Sequence, residues 1–200
     1  MVQAPSQPLW LQLPHQLALQ VTPEQFAALA AANRELHLER TATGELIVNP
    51  PTGGNTGKRN WNIAGELYLW WRNAQEQGEA FDSSTGFELP NGANRSPDAA
   101  WVSQTRWDAL TPEQQDSFIP LCPDFVVELR SKNDTLKDLR AKMEEYRENG
   151  AKLGWLIDPK NKRVEIYRPG QAVEVLENPN HLSGETVLSG FSLSLKRIWA

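Results

Sequence analysis

The 200-residue sequence contains one cysteine, Cys122, so no internal disulfide can form, and cysteine-rich zinc modules are excluded. A lone thiol fits a reducing cytoplasm. The three histidines, His15, His37 and His181, lie far apart, and no histidine-based metal motif can be drawn through them. No run is long and apolar enough to span a bilayer, which sets membrane functions aside. The N-terminus lacks the basic start and continuous apolar stretch of a signal peptide. Positive charge is also short: 20 Lys and Arg stand against 25 Asp and Glu, a formal net charge of −5. That argues against a protein that coats nucleic acid, though not against a local basic patch. What is abundant is tryptophan, with eight residues. Most belong in a core, while Trp70, Trp71 and Trp107 are candidate surface anchors.

The patterning predicts one domain, residues 22–200, preceded by an arm over residues 1–21 that lies on the domain or on a second subunit. Thr22, Pro23 and Gln25 open a helix with a capping box. "LHLERTATGELIVNP" alternates around a Thr-Gly turn and predicts a β-hairpin, and "PPTGGNTG" follows as a loop. Ile63, Leu67, Trp70, Trp71 and Ala74 share one face of a second helix, with Gly78 as its stop. "FELPNGANRSPDAAWVS" supplies two short strands, and Thr111 caps a short helix. Leu136, Leu139, Met143 and Tyr146 form the apolar stripe of a further helix ended by Gly150. "KLGWLIDPKNKRVEIYRP" is a hairpin, and short strands in "AVEVLE" and "ETVLSGFSLSLKRIW" complete the chain. The fold class is α/β or α+β, a mixed central sheet flanked by helices, with an N-terminal helix and hairpin.

The segment "CPDFVVELRS" carries the functional question. It reads as a central strand covered on both sides, yet Asp124, Val126, Glu128 and Arg130 share one of its faces. A buried, uncompensated carboxylate costs several kcal/mol, roughly, so Glu128 needs a metal ion, a cation or water. Asp124 stands roughly 13 Å from Glu128 along the strand and cannot share an ion with it. It reads as a strand-entry cap or a supporting acceptor. Asp98, at the start of the apolar strand in "RSPDAAWVS", can approach Glu128 across the sheet if the two strands pair. Two such carboxylates form a hard, oxygen-rich site suited to Mg²⁺ or Mn²⁺.

Arg130, Lys132 and Lys142 are the candidate cations. Arg130 is permanently protonated and cannot be a base. Lys142 borders the apolar stripe of its helix, within reach of a strand carboxylate, and a border lysine contributes little packing. A structural salt bridge from Glu128 to Arg130 or Lys142 is the rival account of the same residues. "TGGNTGKR" fails the Walker spacing, because Thr52 stands where the first glycine belongs and Arg59 replaces Ser/Thr. Its Lys58 and Arg59 could still touch a nucleic-acid backbone, as could Lys132 in the basic run after the strand.

The ordered segments "RSPDAAWVS", "PDFVVELRS" and "LRAKMEEYRENGAKLGWLIDP" resemble the Uma-type putative restriction endonuclease family of the PD-(D/E)XK nuclease-like superfamily, from about residue 22 onward. The resemblance implies a restriction-endonuclease-like core and a divalent-metal phosphodiesterase site acting on DNA, with Asp98 and Glu128 as metal ligands. Arg130 stands where the superfamily has lysine, and Lys142 matches the helix lysine that substitutes for it. Glu66 could match a helix carboxylate that some members add. The implied function is a Mg²⁺- (or Mn²⁺-) dependent endonuclease. Its alternative is a catalytically silent protein of the same fold, serving as a binding, regulatory or homo-oligomeric module. A homodimer is the assembly contemplated.

Overall fold

A computed structural model of the chain describes residues 18–74 and 77–200. Most of the expected N-terminal arm therefore lies outside the described residues. Residues 18–21 run beside the first hairpin, where Leu46 donates its amide to the Leu19 carbonyl.

The N-terminal half contains α1 (Pro23–Ala32), β1 (His37–Arg40), β2 (Leu46–Asn49) and α2 (Gly54–Asn73), then β3 (Glu79–Asp82), β4 (Phe87–Glu88), β5 (Asn94–Arg95) and β6 (Ala99–Val102). Two single-turn helices follow, α3 (Gln104–Trp107) and α4 (Pro112–Gln115). Next come β7 (Phe125–Leu129), α5 (Leu136–Glu148), β8 (Leu153–Asp158) and β9 (Arg163–Tyr167). The chain closes with β10 (Glu174–Glu177), β11 (His181–Ser183) and β12 (Ser192–Ser194).

The central sheet is six-stranded and mixed, in the order β10-β9-β8-β7-β6-β3. Only β7 and β8 run parallel. A parallel pair needs a crossover, and α5 provides it. Phe125, Val127 and Leu129 face a core shared with Ile63 and Leu67 of α2 and with Leu182 and Leu193 of β11 and β12. Val126 faces the other core, with Met143 and Tyr146 of α5. The central strand is thus covered on both sides, as its continuous apolar character requires. A second sheet, β2-β1-β5-β4, carries the predicted hairpin.

Local signals act as expected at several ends. Thr22 and Gln25 exchange both bonds of a capping box, and Thr111 and Gln114 do the same for α4. Four expectations are corrected. Helix α2 begins at Gly54, inside the predicted loop, because Ile63 and Leu67 bury its face and Arg59 ties its first turns to the Ile198 and Ala200 carbonyls. Gly78 does not end it: the helix closes at Ala74, and Gly78 instead turns into β3 with φ +83°, a strand too short to show alternation. The stretch Glu185–Gly190 forms turns rather than strand. Trp70, Trp71 and Trp107 are not surface anchors. They pack against the cores, Trp70 edge-on to Trp101 and Trp107 beside Phe81, whereas Trp61 is 81% exposed.

Candidate active site at the forked end of two strands

Strands β6 and β7 pair with Ala99 opposite Val127. Asp98 directly precedes the β6 member of that pair and Glu128 directly follows the β7 member. Alternation from Val126 puts Glu128 on the α5 side of the sheet, whereas the Asp98 carboxylate reaches α2. The ladder ends there. The Asp98 amide donates to the Val127 carbonyl (2.9 Å), and the Asp98 side chain then takes over, its Oδ2 accepting from the Leu129 amide (2.7 Å). Its Oδ1 accepts from Asn60 Nδ2 on α2 (2.7 Å). The carboxylate is therefore oriented by one donor on each oxygen. Burial pushes its pKa up, against the pull of these bonds and of the Lys142 charge.

Glu128 is buried in the middle of the sheet. Lys142 Nζ lies 2.7 Å from its Oε1, and the Tyr146 hydroxyl donates to the same oxygen (3.1 Å). These contacts converge on Oε1 and do not engage Oε2. Lys142 and Tyr146 sit four apart on α5, so one helix face delivers both donors. Desolvation pushes the Glu128 carboxyl up to about 8; Lys142 opposes the shift, and Asp98 and Glu39 add to it.

Lys142 is no border lysine. Its side chain is only 13% exposed, and its Nζ also reaches Glu39 Oε1 (2.7 Å) and the Ser96 carbonyl (3.3 Å). Burial disfavours its charge, but Glu128 and Glu39 outweigh burial and hold the ammonium above its usual range. Glu39, buried on β1, is held below its usual range despite burial by Lys142 and by Arg95, 3.3 Å from its Oε2. Arg95 continues to Glu145 of α5 (2.5 Å). The result is a chain of alternating charges linking β7, α5 and the second sheet.

The other expected residues fall elsewhere. Asp124 pairs with Arg106 (3.1 Å) and Lys152 (2.9 Å) and accepts from the Ser103 amide (2.8 Å), which makes it a structural acceptor. Arg130 turns away from Glu128 and pairs with Asp158 (2.8 Å). Glu66 is half-buried on α2, and the residue of that helix that meets Asp98 is Asn60. Lys58 and Lys132 are exposed, whereas Arg59 is occupied by the C-terminal carbonyls.

Sequence reading missed Glu39, Tyr146 as a donor, and Asn60. Glu39 gives no local signal, since a polar residue in a hairpin normally faces water. Asn60 does give one. It lies three residues before Ile63 and seven before Leu67, so it continues their buried face.

The donor set is hard, two carboxylates from adjacent strands with Glu128 Oε2 left unengaged by Lys142 and Tyr146, and it suits a small divalent cation that keeps most of its waters. Among the described residues there is no cluster of three or more His, Cys, Asp or Glu able to enclose an ion. Asp98 and Glu128 would have to hold it as a pair.

Comparison with known proteins follows the same line. Residues 23–196 match the family model described as "Uma2: Putative restriction endonuclease", and the chain belongs to that family. The crystal structure of a "putative nuclease belonging to DUF820" from Anabaena variabilis superposes with a TM-score of 0.74 at 22% identity, covering 90% of this chain and 97% of the other. At that identity the likeness shows the fold, and the fold is that of this nuclease-like neighbour. A DrdV–DNA complex aligns over 61% of this chain and 10% of the other at 14% identity, with a TM-score of 0.36, too slight to carry an argument. No curated protein matches the sequence. No helix among the described residues is long and apolar enough to cross a membrane.

Proposed function

We propose that the protein is a divalent-metal-dependent DNA endonuclease, with Asp98 and Glu128 holding Mg²⁺ or Mn²⁺ and Lys142 as the catalytic cation. The carrying observation is the placement of Lys142 Nζ 2.7 Å from Glu128 Oε1, at the point where the β6–β7 ladder ends and Asp98 begins. Bound there, the ion would polarise the scissile phosphate and lower the pKa of a water.

The chain's own residues do the rest. Asn60 and the Leu129 amide fix the Asp98 carboxylate. Tyr146 and Lys142 fix Glu128. Because Glu128 and Glu39 keep Lys142 protonated, it acts as a positive charge and not as a base. Its part is to stabilise the negative charge that grows on the phosphate as water adds and the P–O bond to the leaving oxygen breaks.

The test is cleavage of single- and double-stranded DNA with Mg²⁺ and Mn²⁺ by the wild type and by Asp98→Asn. If the wild type cleaves nothing that Asp98→Asn does not also cleave, the nuclease reading falls. Calorimetric titration with Mn²⁺ adds a readout without turnover: weak binding to the wild type, lost in Glu128→Gln, is expected.

One observation favours a catalytically silent relative. Lys142 and Tyr146 already satisfy one Glu128 oxygen without any ion. Equal Mn²⁺ titrations for the wild type and Glu128→Gln would support that reading.

A further inference from the structure

The active-site end of the sheet has a second feature beside it, which the two carboxylates do not explain. A cleft of about 560 Å³ is lined by Lys162, Asn180, His181, Ser194, Lys196, Trp199 and Ala200, whose backbone oxygen is taken by Arg59 (3.2 Å). Its titratable side chains are two lysines and a histidine, in a chain whose net charge is −5. Lys162 and Lys196 are exposed, so their ammonium groups face solvent. Nearby acids are already paired: Asp158 with Arg130 (2.8 Å) and Glu177 with Arg163 (3.4 Å).

Topology joins this cleft to the site twice. Strands β7 and β8 are parallel, with Glu128 level with Leu156 and Leu129 level with Ile157. The β8–β9 turn that carries Lys162 therefore leaves the sheet at the same end as Glu128. Counted across the sheet it is two to three strand spacings from Asp98, roughly 10–15 Å, and it projects further beyond the strand end. On the other side, Arg59 donates to the Ile198 and Ala200 carbonyls flanking Trp199, and the next residue, Asn60, donates to Asp98. Lys162 is also held at φ +49°, a conformation that non-glycine residues rarely adopt, and its carbonyl accepts from the Asn178 amide (2.6 Å). The turn thus fixes the backbone from which the Lys162 side chain extends.

We propose that this cleft is the track for the phosphate backbone of the nucleic-acid substrate, with Lys162 and Lys196 each contacting a phosphate and leading the strand to Asp98 and Glu128. The proposal rests on the nuclease reading and names where the substrate of that site lies. Phosphate contacts of this kind position a strand without reading its sequence. Trp199, whose indole donates to the Pro179 carbonyl (2.9 Å), forms a rigid wall of the track.

The experiment measures binding in EDTA, where no cleavage competes, by fluorescence anisotropy of a labelled DNA duplex and a labelled single strand with the full chain. Lys162→Glu and Lys196→Glu are compared singly and together, with Arg34→Glu, exposed between α1 and β1, controlling for net charge. The double variant is expected to bind at least about tenfold more weakly and to flatten the slope of log K against log salt by about 2, one unit per lost phosphate contact. Arg34→Glu should leave that slope unchanged. If the wild type binds and the double variant binds equally well, or Arg34→Glu loses as much, the cleft is not the track. Absence of binding by the wild type to either DNA also overturns the cleft assignment. Neither result decides the nuclease reading, which stands or falls separately on Asp98-dependent cleavage.

Discussion

Asp124, the residue before β7, and Glu128, near its end, meet opposite fates. Asp124, at the entry of the strand, is held by two cations that reach it from solvent: Arg106 and Lys152 are 33% and 57% exposed. Burial raises its pKa, but Lys152, the Ser103 amide and Arg106 outweigh burial, and the net shift is downward. Glu128, four residues on, has one lysine, and that lysine is shared with Glu39 and buried with it. There burial wins, and the carboxyl rises to about 8. Sequence position alone does not separate them. The difference lies in how many cations arrive, and whether they remain wet. A carboxylate held firmly in its charged form serves structure, whereas a buried one whose single cation is shared is suited to receive a further cation.

The largest expected effect comes from breaking the buried end of this comparison. Lys142→Met leaves Glu128 and Glu39 facing each other without their shared cation. Removing one partner of a buried pair typically costs about 3–5 kcal/mol, read as a lower urea midpoint. Cleavage should fall by about 10²-fold or more. The reading of Lys142 as a border lysine that contributes little packing is corrected by its two buried partners. A loss of stability below about 1 kcal/mol would show that Lys142 is solvated rather than shared.

Asp124→Asn is the milder counterpart. The amide still accepts from Ser103, and Arg106 and Lys152 return to water, so about 1–2 kcal/mol is expected, discounted for their exposure, with cleavage retained. The two ends should also titrate with opposite sign. Asp124 has a lowered folded pKa, so the stability it contributes is present above its unfolded value near 3.8 and is lost as pH falls through the folded value. Glu128 has a raised one, so its contribution makes the fold less stable as pH rises from about 4.5 towards 8. Urea titrations across pH should therefore show the acid-side loss reduced in Asp124→Asn and the neutral-side decline reduced in Glu128→Gln. The same sign of change in both variants would contradict the contrast.

Much of this architecture was legible because it is written locally. The capping boxes at Thr22 and Thr111, the α5 stripe and the apolar run of β7 each reflect a short-range rule. The pairing of the Asp98 and Glu128 strands was legible for a related reason: two prolines introduce two apolar strands, each with a carboxylate near the sheet end. Glu39 was not, because its burial is decided by α5, about a hundred residues away, closing over the hairpin. Tyr146 was legible only as an apolar residue, since periodicity records its ring and not its hydroxyl. Strand β3 is four residues long, and its place at the sheet edge is fixed by pairing with β6, which no window of its own sequence contains.

The smallest expected effect concerns Arg130, which the resemblance read from the sequence sets where a motif lysine is expected. It belongs to neither end of the comparison, since its guanidinium pairs with Asp158 and donates to the Asp134 carbonyl (3.3 Å). Asp158 has other donors: Asn161 Nδ2 (2.7 Å) and the Lys160 amide (3.1 Å). Arg130→Gln should therefore cost at most about 1 kcal/mol, as for a partly exposed pair with a remaining network. Its cleavage should stay within a few-fold of the wild type. Arg130→Lys, which restores the motif letter, should not rescue Lys142→Met, because the strand continues its side chain towards Asp158 and away from Glu128. Recovery of cleavage in that double variant would move the catalytic cation from helix α5 to strand β7, and with it the distinction drawn between the two ends of the strand.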